Sequence, residues 1–360
     1  MFVADLHNDV LQRAIIGEDI SIKTKHGHSD LIKLKDSCID LEVFVIWIPK
    51  SHENKSPFLR ANQLYKKLKE LEENNNIKIV KTFEEITRAK KENILATPFS
   101  IEGGECIEDK IENLYYFIEK GLFYFGPTWN NSLNWVSSNY DEKHNRKNIR
   151  SLGLNKFGKT VINLCNENNV IIDVSHIGEK SFWDIVKISN KPFIASHSSV
   201  YNLCPHYRNL KDDQICAIRD SSGLIGLNPY PFFIDPNFKN REIKIQKQIS
   251  NELNNLLLEE KNVNAKWIKK QHFLQKQLNI IAPSIDIFID HIEYIIKLVG
   301  IDYVGIGSDY DGLDCLPKEL IDCRDHIKII EKLDSRGYSQ NEIEKIMGLN
   351  ALRVFQEIKN

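Results

Sequence analysis

The chain has 360 residues, of which 42% are hydrophobic, 27% charged, and only 17 Gly and 11 Pro. That length and balance exclude collagenous, low-complexity and wholly disordered classes and leave room for a large buried core. Forty-eight Lys and Arg against 50 Asp and Glu give a net charge of −2, without the basic excess of a phosphate-backbone binder, so nucleic acid is disfavoured as a partner.

Short apolar, β-branched runs alternate with longer amphipathic stretches along the chain. The runs predict strands at 2–6, 41–48, 96–101, 122–128, 170–174, 192–195, 223–227 and 303–307. Helical spacing marks 57–73, 110–120, 156–168, 180–189 and 286–299. Eight buried-type strands alternating with helices predict an α/β fold, a (β/α)8 barrel of TIM type, as one domain over 1–360. A doubly wound open sheet would carry a glycine-rich phosphate loop after its first strand, and Leu6-His7-Asn8-Asp9 is not one. Residues 236–280 break the rhythm with nine Lys or Arg against four Glu, and with Ile245, Ile249, Leu253, Leu256 and Leu257 at helical spacing. They predict a helical insertion between strands seven and eight, read first as a solvated pair packed on the barrel. A lid over the barrel mouth, or a dimer contact, is the sharper alternative, and a homodimer is compatible with the sequence.

Seven cysteines are scattered without a CxxC pair, no signal peptide is evident, and no apolar run reaches the length of a membrane span. The expectation is a cytoplasmic protein with reduced thiols and no membrane partner.

Chemistry concentrates at the carboxyl ends of the predicted strands. Strand one ends in Asp5-Leu6-His7-Asn8-Asp9, and the two-residue spacing of His7 and Asp9 puts both on one face of an extended backbone. Strand three ends in Glu102 before two glycines, strand five leads to His176, strand six to His197, and strand eight to Asp309. The other eight histidines fall in predicted loops or helices. In a closed barrel the five ends meet at one mouth, where barrel enzymes hold their chemistry. Three imidazoles and three carboxylates suit Zn²⁺. They are too many for one catalytic ion and about right for two that share a bridging carboxylate and a bridging hydroxide.

The motifs Asp5-x-His7-x-Asp9, Ile101-Glu102-Gly103-Gly104, Asp173-Val174-Ser175-His176, Ser196-His197-Ser198-Ser199 and Gly305-Ile306-Gly307-Ser308-Asp309-Tyr310-Asp311-Gly312 resemble, in order and spacing, those of the membrane (renal) dipeptidase family of zinc peptidases. The likeness runs over essentially the whole chain apart from 236–280, and the Lys/Asn/Ile-rich usage suggests a microbial member. The resemblance implies two zinc ions per chain: His7 and Asp9 hold one, His176 and His197 the other, and Glu102 bridges them. It implies hydrolysis of a dipeptide through a metal-bridging hydroxide, with Asp309 as proton shuttle. It also makes Arg208 the guanidinium that grips the substrate's terminal carboxylate, a role suited to its bidentate fork. An ion pair of Arg208 with Asp212 or Asp213 is the alternative.

The chain departs from the family's animal members after Thr128, where they carry a histidine that supports the developing oxyanion and this chain has Trp129. Asn130 or His144 could stand in, or Trp129 could simply wall the pocket, to which Tyr230 is also assigned. The departure keeps open a related binuclear hydrolase of another amide, lactam or ester. The basic insertion motivates a third reading, a metal-stabilised scaffold that binds a partner without catalysis.

Overall fold

A computed structural model describes residues 1–48, 56–258 and 260–359. The described residues form ten strands: β1 (Ala4–Asn8), β2 (Leu41–Trp47), β3 (Ile77–Lys78), β4 (Leu95–Ala96), β5 (Phe99–Glu102), β6 (Tyr124–Gly126), β7 (Ile171–Asp173), β8 (Phe193–Ser198), β9 (Leu224–Leu227) and β10 (Val304–Ile306). Eight of them run β1-β10-β9-β8-β7-β6-β5-β2, all parallel, and β1 pairs with β2 to close the ring. This is the (β/α)8 barrel that the alternation predicts. The expected strand at 96–101 is divided: β4 pairs with the start of β2 and carries β3 on its outer side, while β5 belongs to the barrel. Pro98 lies at the break, where its missing N–H cannot serve a ladder, and its carbonyl accepts from Phe44 N instead.

Neighbouring side chains on each strand bury in opposite directions, which is why the strands read as unbroken apolar runs. Phe44, Ile46, Phe99, Ile101 and Ile172 pack outward, against inward faces such as Ala61, Leu64 and Leu68 of the helix Pro57–Asn74. Val43, Val45, Tyr124, Ile194 and Leu224 belong to a second cluster, joined by Val354, Phe355 and Ile358 of the closing helix Asn350–Lys359.

Two barrel pairings depart from regular register, β1 between Asp5 and Asn8 and β8 between Ala195 and Ser198. Such irregularities re-aim side chains, and these two carry His7 and His197 to the mouth. In β8 the shift moves the Ser196 carbonyl into space that a Cβ at Gly226 or Gly307 would occupy. Glycine is therefore required at both positions by close backbone approach.

The insertion forms helices Phe238–Leu257 and Val263–Ile281 between β9 and β10, the seventh and eighth strands of the ring. Phe238, Ile249 and Leu278 bury against Cys315, with Tyr230 and Phe232 of the loop after β9 packed beside them. The pair thus docks on the loops at the barrel mouth. No described helix is long and apolar enough to cross a membrane.

Gly307→Ala is expected to lower stability by about 1–3 kcal/mol through overpacking against β8. An unchanged urea midpoint would show that the Ser196 carbonyl can retreat without cost.

Candidate metal centre

His7 and Asp9 leave the end of β1, Glu102 ends β5, His176 follows β7, His197 lies in β8, and Asp309 follows β10. All six are buried. Glu102 Oε1 is 2.8 Å from His176 Nε2, 3.3 Å from His197 Nε2 and 3.9 Å from His7 Nε2. His7 Nε2 is 3.6 Å from Asp9 Oδ2. Glu102, His176 and His197 form one trio of ligand atoms within 4.8 Å of one another; His7, Asp9 and Asp309 form another. His176 and Asp309 have φ of 63° and 57°, left-handed values that non-glycine residues seldom adopt and that cluster at functional sites.

Each imidazole is gripped from behind at Nδ1. His7 Nδ1 meets the Tyr124 hydroxyl at 2.8 Å, and that hydroxyl donates to Leu6 O. His197 Nδ1 meets Ser196 Oγ at 2.8 Å, and Ser196 Oγ donates to Asp173 Oδ2. His176 Nδ1 meets Asn130 Oδ1 at 3.1 Å, a pairing in which only the imidazole can donate. Protons held at Nδ1 leave the Nε2 lone pairs facing the centre, the arrangement that orients metal-binding histidines. Asp173 completes a third trio with His7 and His197, but its oxygens are already engaged by Ser175 N, Ser196 N and Ser196 Oγ. It pins the irregular stretch of β8.

The donor set fits divalent cations. His7 Nε2, Asp9 Oδ1 and Glu102 Oε1 are buried without any hydrogen-bond partner, a costly condition for the polypeptide alone. His176 Nε2 and His197 Nε2 approach each other to 3.0 Å, a geometry for two lone pairs turned toward a shared cation. Burial lifts Glu102 well above the ordinary carboxylate range, with Asp9 and Asp309 reinforcing it. Burial also raises Asp309 to about 7, against the pull of His7. His176 and His197 fall well below the usual imidazole value through burial, helped by Arg208 and His7. Burial opposes protonation of His7, yet Asp9, Glu102 and Asp309 together push it up to about 10. A dication favours ionised carboxylates and neutral imidazoles, and so would relieve the crowding of like charge.

A cavity of about 400 Å³ opens over these groups. Arg208 lines it from a buried position: Nη2 donates to His197 O at 3.1 Å, the guanidinium lies 5.5 Å from the Phe233 ring centroid, and Nε has no partner. The alternative ion pair is not formed, since Asp212 bonds Asn202 and Tyr294, and Asp213 accepts from Gln214 N. Trp129 stands edge-on to Trp47 at 4.9 Å and forms wall, while Asn130 lies behind His176. Tyr230 lines the cavity beside Phe232 and Phe233. His144 is exposed, packed on Tyr140 and Tyr207, outside the cavity lining. His52 lies outside the described residues.

The cavity also holds residues that sequence patterns leave unassigned. His206 stacks on Tyr207 and Phe233 in its wall, although its place in a predicted loop carries no site motif. Trp267 and Gln271 of the inserted helix line it as well. The pair is solvated over most of its surface and packed on the barrel, as read, but Trp267 and Gln271 on its inner face also border the cavity. A tryptophan amid basic residues was the available signal.

The family model described as membrane dipeptidase (peptidase family M19) matches residues 1–360. An uncharacterised dipeptidase of Schizosaccharomyces pombe is 26% identical over 346 residues, covering 92% of this chain and 72% of its own length. A solved M19 metallopeptidase, the dipeptidase AC, superposes with a TM-score of 0.80 at 22% identity, covering 100% of this chain and 99% of that one. A metallopeptidase from Rhodobacter sphaeroides, solved with a phosphinate mimic of L-Ala-D-Ala, gives 0.79 at 21% identity with 99% of each chain covered. With the motifs, the barrel and the six converging His, Asp and Glu side chains in one frame, the chain belongs to the membrane dipeptidase family, a family of hydrolases.

Proposed function

We propose that this chain hydrolyses the peptide bond of dipeptides with two zinc ions, held by His7 and Asp9, by His176 and His197, and by Glu102 between them. The observation that carries the reading is the buried Glu102 Oε1, lacking a hydrogen bond and surrounded by three imidazole nitrogens. The chain is read as one domain working in the cytoplasm. When bound, the ions supply a water acidic enough to ionise near neutral pH and a Lewis acid for the scissile carbonyl.

The rest is the work of side chains. Asp309 Oδ2 accepts from Asn228 Nδ2 at 3.0 Å, which fixes the carboxylate beside His7 and Asp9. From there Asp309 takes the proton of the attacking water and returns it to the leaving amine, acting first as base and then as acid. Arg208 grips the terminal carboxylate: desolvated and free at Nε, it offers a charge-assisted donor at a fixed place. Tyr124, Ser196 and Asn130 hold the imidazoles in the tautomer that ligation needs. Trp129 and Trp47 wall the cavity against water. The guanidinium favours a substrate with a free carboxylate over other amides, lactams or esters, and a scaffold would have no use for a base beside the ligands.

The purified chain is expected to carry about two zinc equivalents and to release free amino acids from a panel of L-L and L-D dipeptides. Fully metallated protein that leaves the panel intact would sink this reading. Asn130→Ala should weaken metal binding about 10- to 100-fold in a chelator competition, through loss of the His176 tautomer. Asp309→Asn should lower kcat about a hundredfold to ten-thousandfold with little change in KM, since it removes a proton carrier and keeps the shape. Arg208→Ala should raise KM for free dipeptides about tenfold or more while leaving C-terminally amidated ones as poor as before; an equal loss on both would deny the carboxylate contact.

A further inference from the structure

The helix Val263–Ile281 turns Trp267 and Gln271, four residues apart and so on one face, into the cavity above the metal ligands. Both also wall a smaller recess beneath the helix, together with Arg13, Asp311 and Leu313 from the segments after β1 and β10. That side of the mouth is the side of His7, Asp9 and Asp309. Arg208 marks the other side, where with His206 and Tyr207 it borders a neighbouring cavity over the segments after β7 and β8. The helix is seated on both flanks of its span. His272 stacks on His26 of the loop after β1 at 3.7 Å, and Leu278 buries with Phe238, Ile249 and Cys315.

A dipeptide whose carboxylate is held at Arg208 and whose scissile bond lies over Glu102 must send its first residue away from Arg208, toward the segments after β1 and β10. The inserted helix forms the wall there. We propose that Trp267 is a specificity-determining residue, forming with Leu313 the subsite for the side chain on the amino side of the scissile bond and selecting large apolar groups of leucine or phenylalanine size. This rests on the dipeptidase reading above. An indole face gains most from burying flat or branched hydrocarbon, and it gives a glycine nothing to cover.

The test compares kcat/KM of the metal-loaded chain for Leu-Gly, Phe-Gly, Gly-Gly, Gly-Leu and Gly-Phe, in wild type, Trp267→Ala and Trp267→Phe. The ratio of Leu-Gly or Phe-Gly to Gly-Gly should fall about tenfold or more in Trp267→Ala and recover most of the way in Trp267→Phe. The ratio of Gly-Leu to Gly-Gly should stay the same in all three. A uniform loss across the panel, or a shift that follows the second residue, overturns the subsite while leaving the dipeptidase reading intact. A wild type that cleaves none of the five overturns the subsite, and one that also leaves the L-L and L-D panel intact overturns the dipeptidase reading as well. Binding gives an independent readout: tryptophan emission of the metal-loaded Asp309→Asn chain, which turns substrate over slowly, should change more with Leu-Gly than with Gly-Gly, and the difference should vanish when Trp267→Phe is added. Equal changes for the two dipeptides would overturn the subsite.

Discussion

Glu102 ends β5 with a buried carboxylate oxygen that no N–H or O–H satisfies, and around it stand the Nε2 atoms of His7, His176 and His197. A charge removed from water costs several kcal/mol unless it is paired, so this oxygen determines what the site must be. The available donors are nitrogens arranged as lone pairs, and such an environment is satisfied by cations. The rest of the mouth holds the imidazoles from behind, through Tyr124, Ser196 and Asn130, so that their Nε2 atoms face this oxygen.

The frame does this through strand register as much as through side-chain choice. A regular β1 and β8 would alternate their residues strictly between barrel interior and helix layer, and His7 and His197 would lose their places at the mouth. The shifts between Asp5 and Asn8 and between Ala195 and Ser198 interrupt that alternation. They are stabilised locally: Asp173 accepts both the amide and the hydroxyl of Ser196, and Gly226 and Gly307 make room for the displaced carbonyl. The same hydroxyl then orients His197, so the group that supports the backbone irregularity also sets the ligand's tautomer.

The helical pair between β9 and β10 contributes to the cavity wall apart from the centre. The clustered His, Asp and Glu side chains stand at strand ends of the barrel, whereas Trp267 and Gln271 arrive on a helical pair attached between the last two strands of the ring. Loops and insertions at the carboxyl face vary the wall while the metal-binding groups stay on the frame. Trp129 belongs with this wall, since it packs edge-on against Trp47.

The succession of strands and the six His, Asp and Glu residues that meet at the mouth could be read from the chain itself. Apolar runs bounded by polar residues report burial on both faces of a parallel strand, and His7, Glu102, His176, His197 and Asp309 each sit where such a run stops. Local patterns carry that much because strand ends in a barrel share one destination. The division of residues 96–101 at Pro98, the tautomer-setting contacts of Tyr124 and Ser196, and the inward face of the insertion could not be read in that way. Tyr124 meets His7 across 117 positions of sequence, and Trp267 meets the cavity only because Leu278 and His272 anchor its helix to distant loops. The sequence by itself determined the frame and the chemistry of the centre, through periodicity and residue type. The tertiary structure alone decided how each imidazole points and what covers the mouth, because both depend on contacts between segments far apart in the chain.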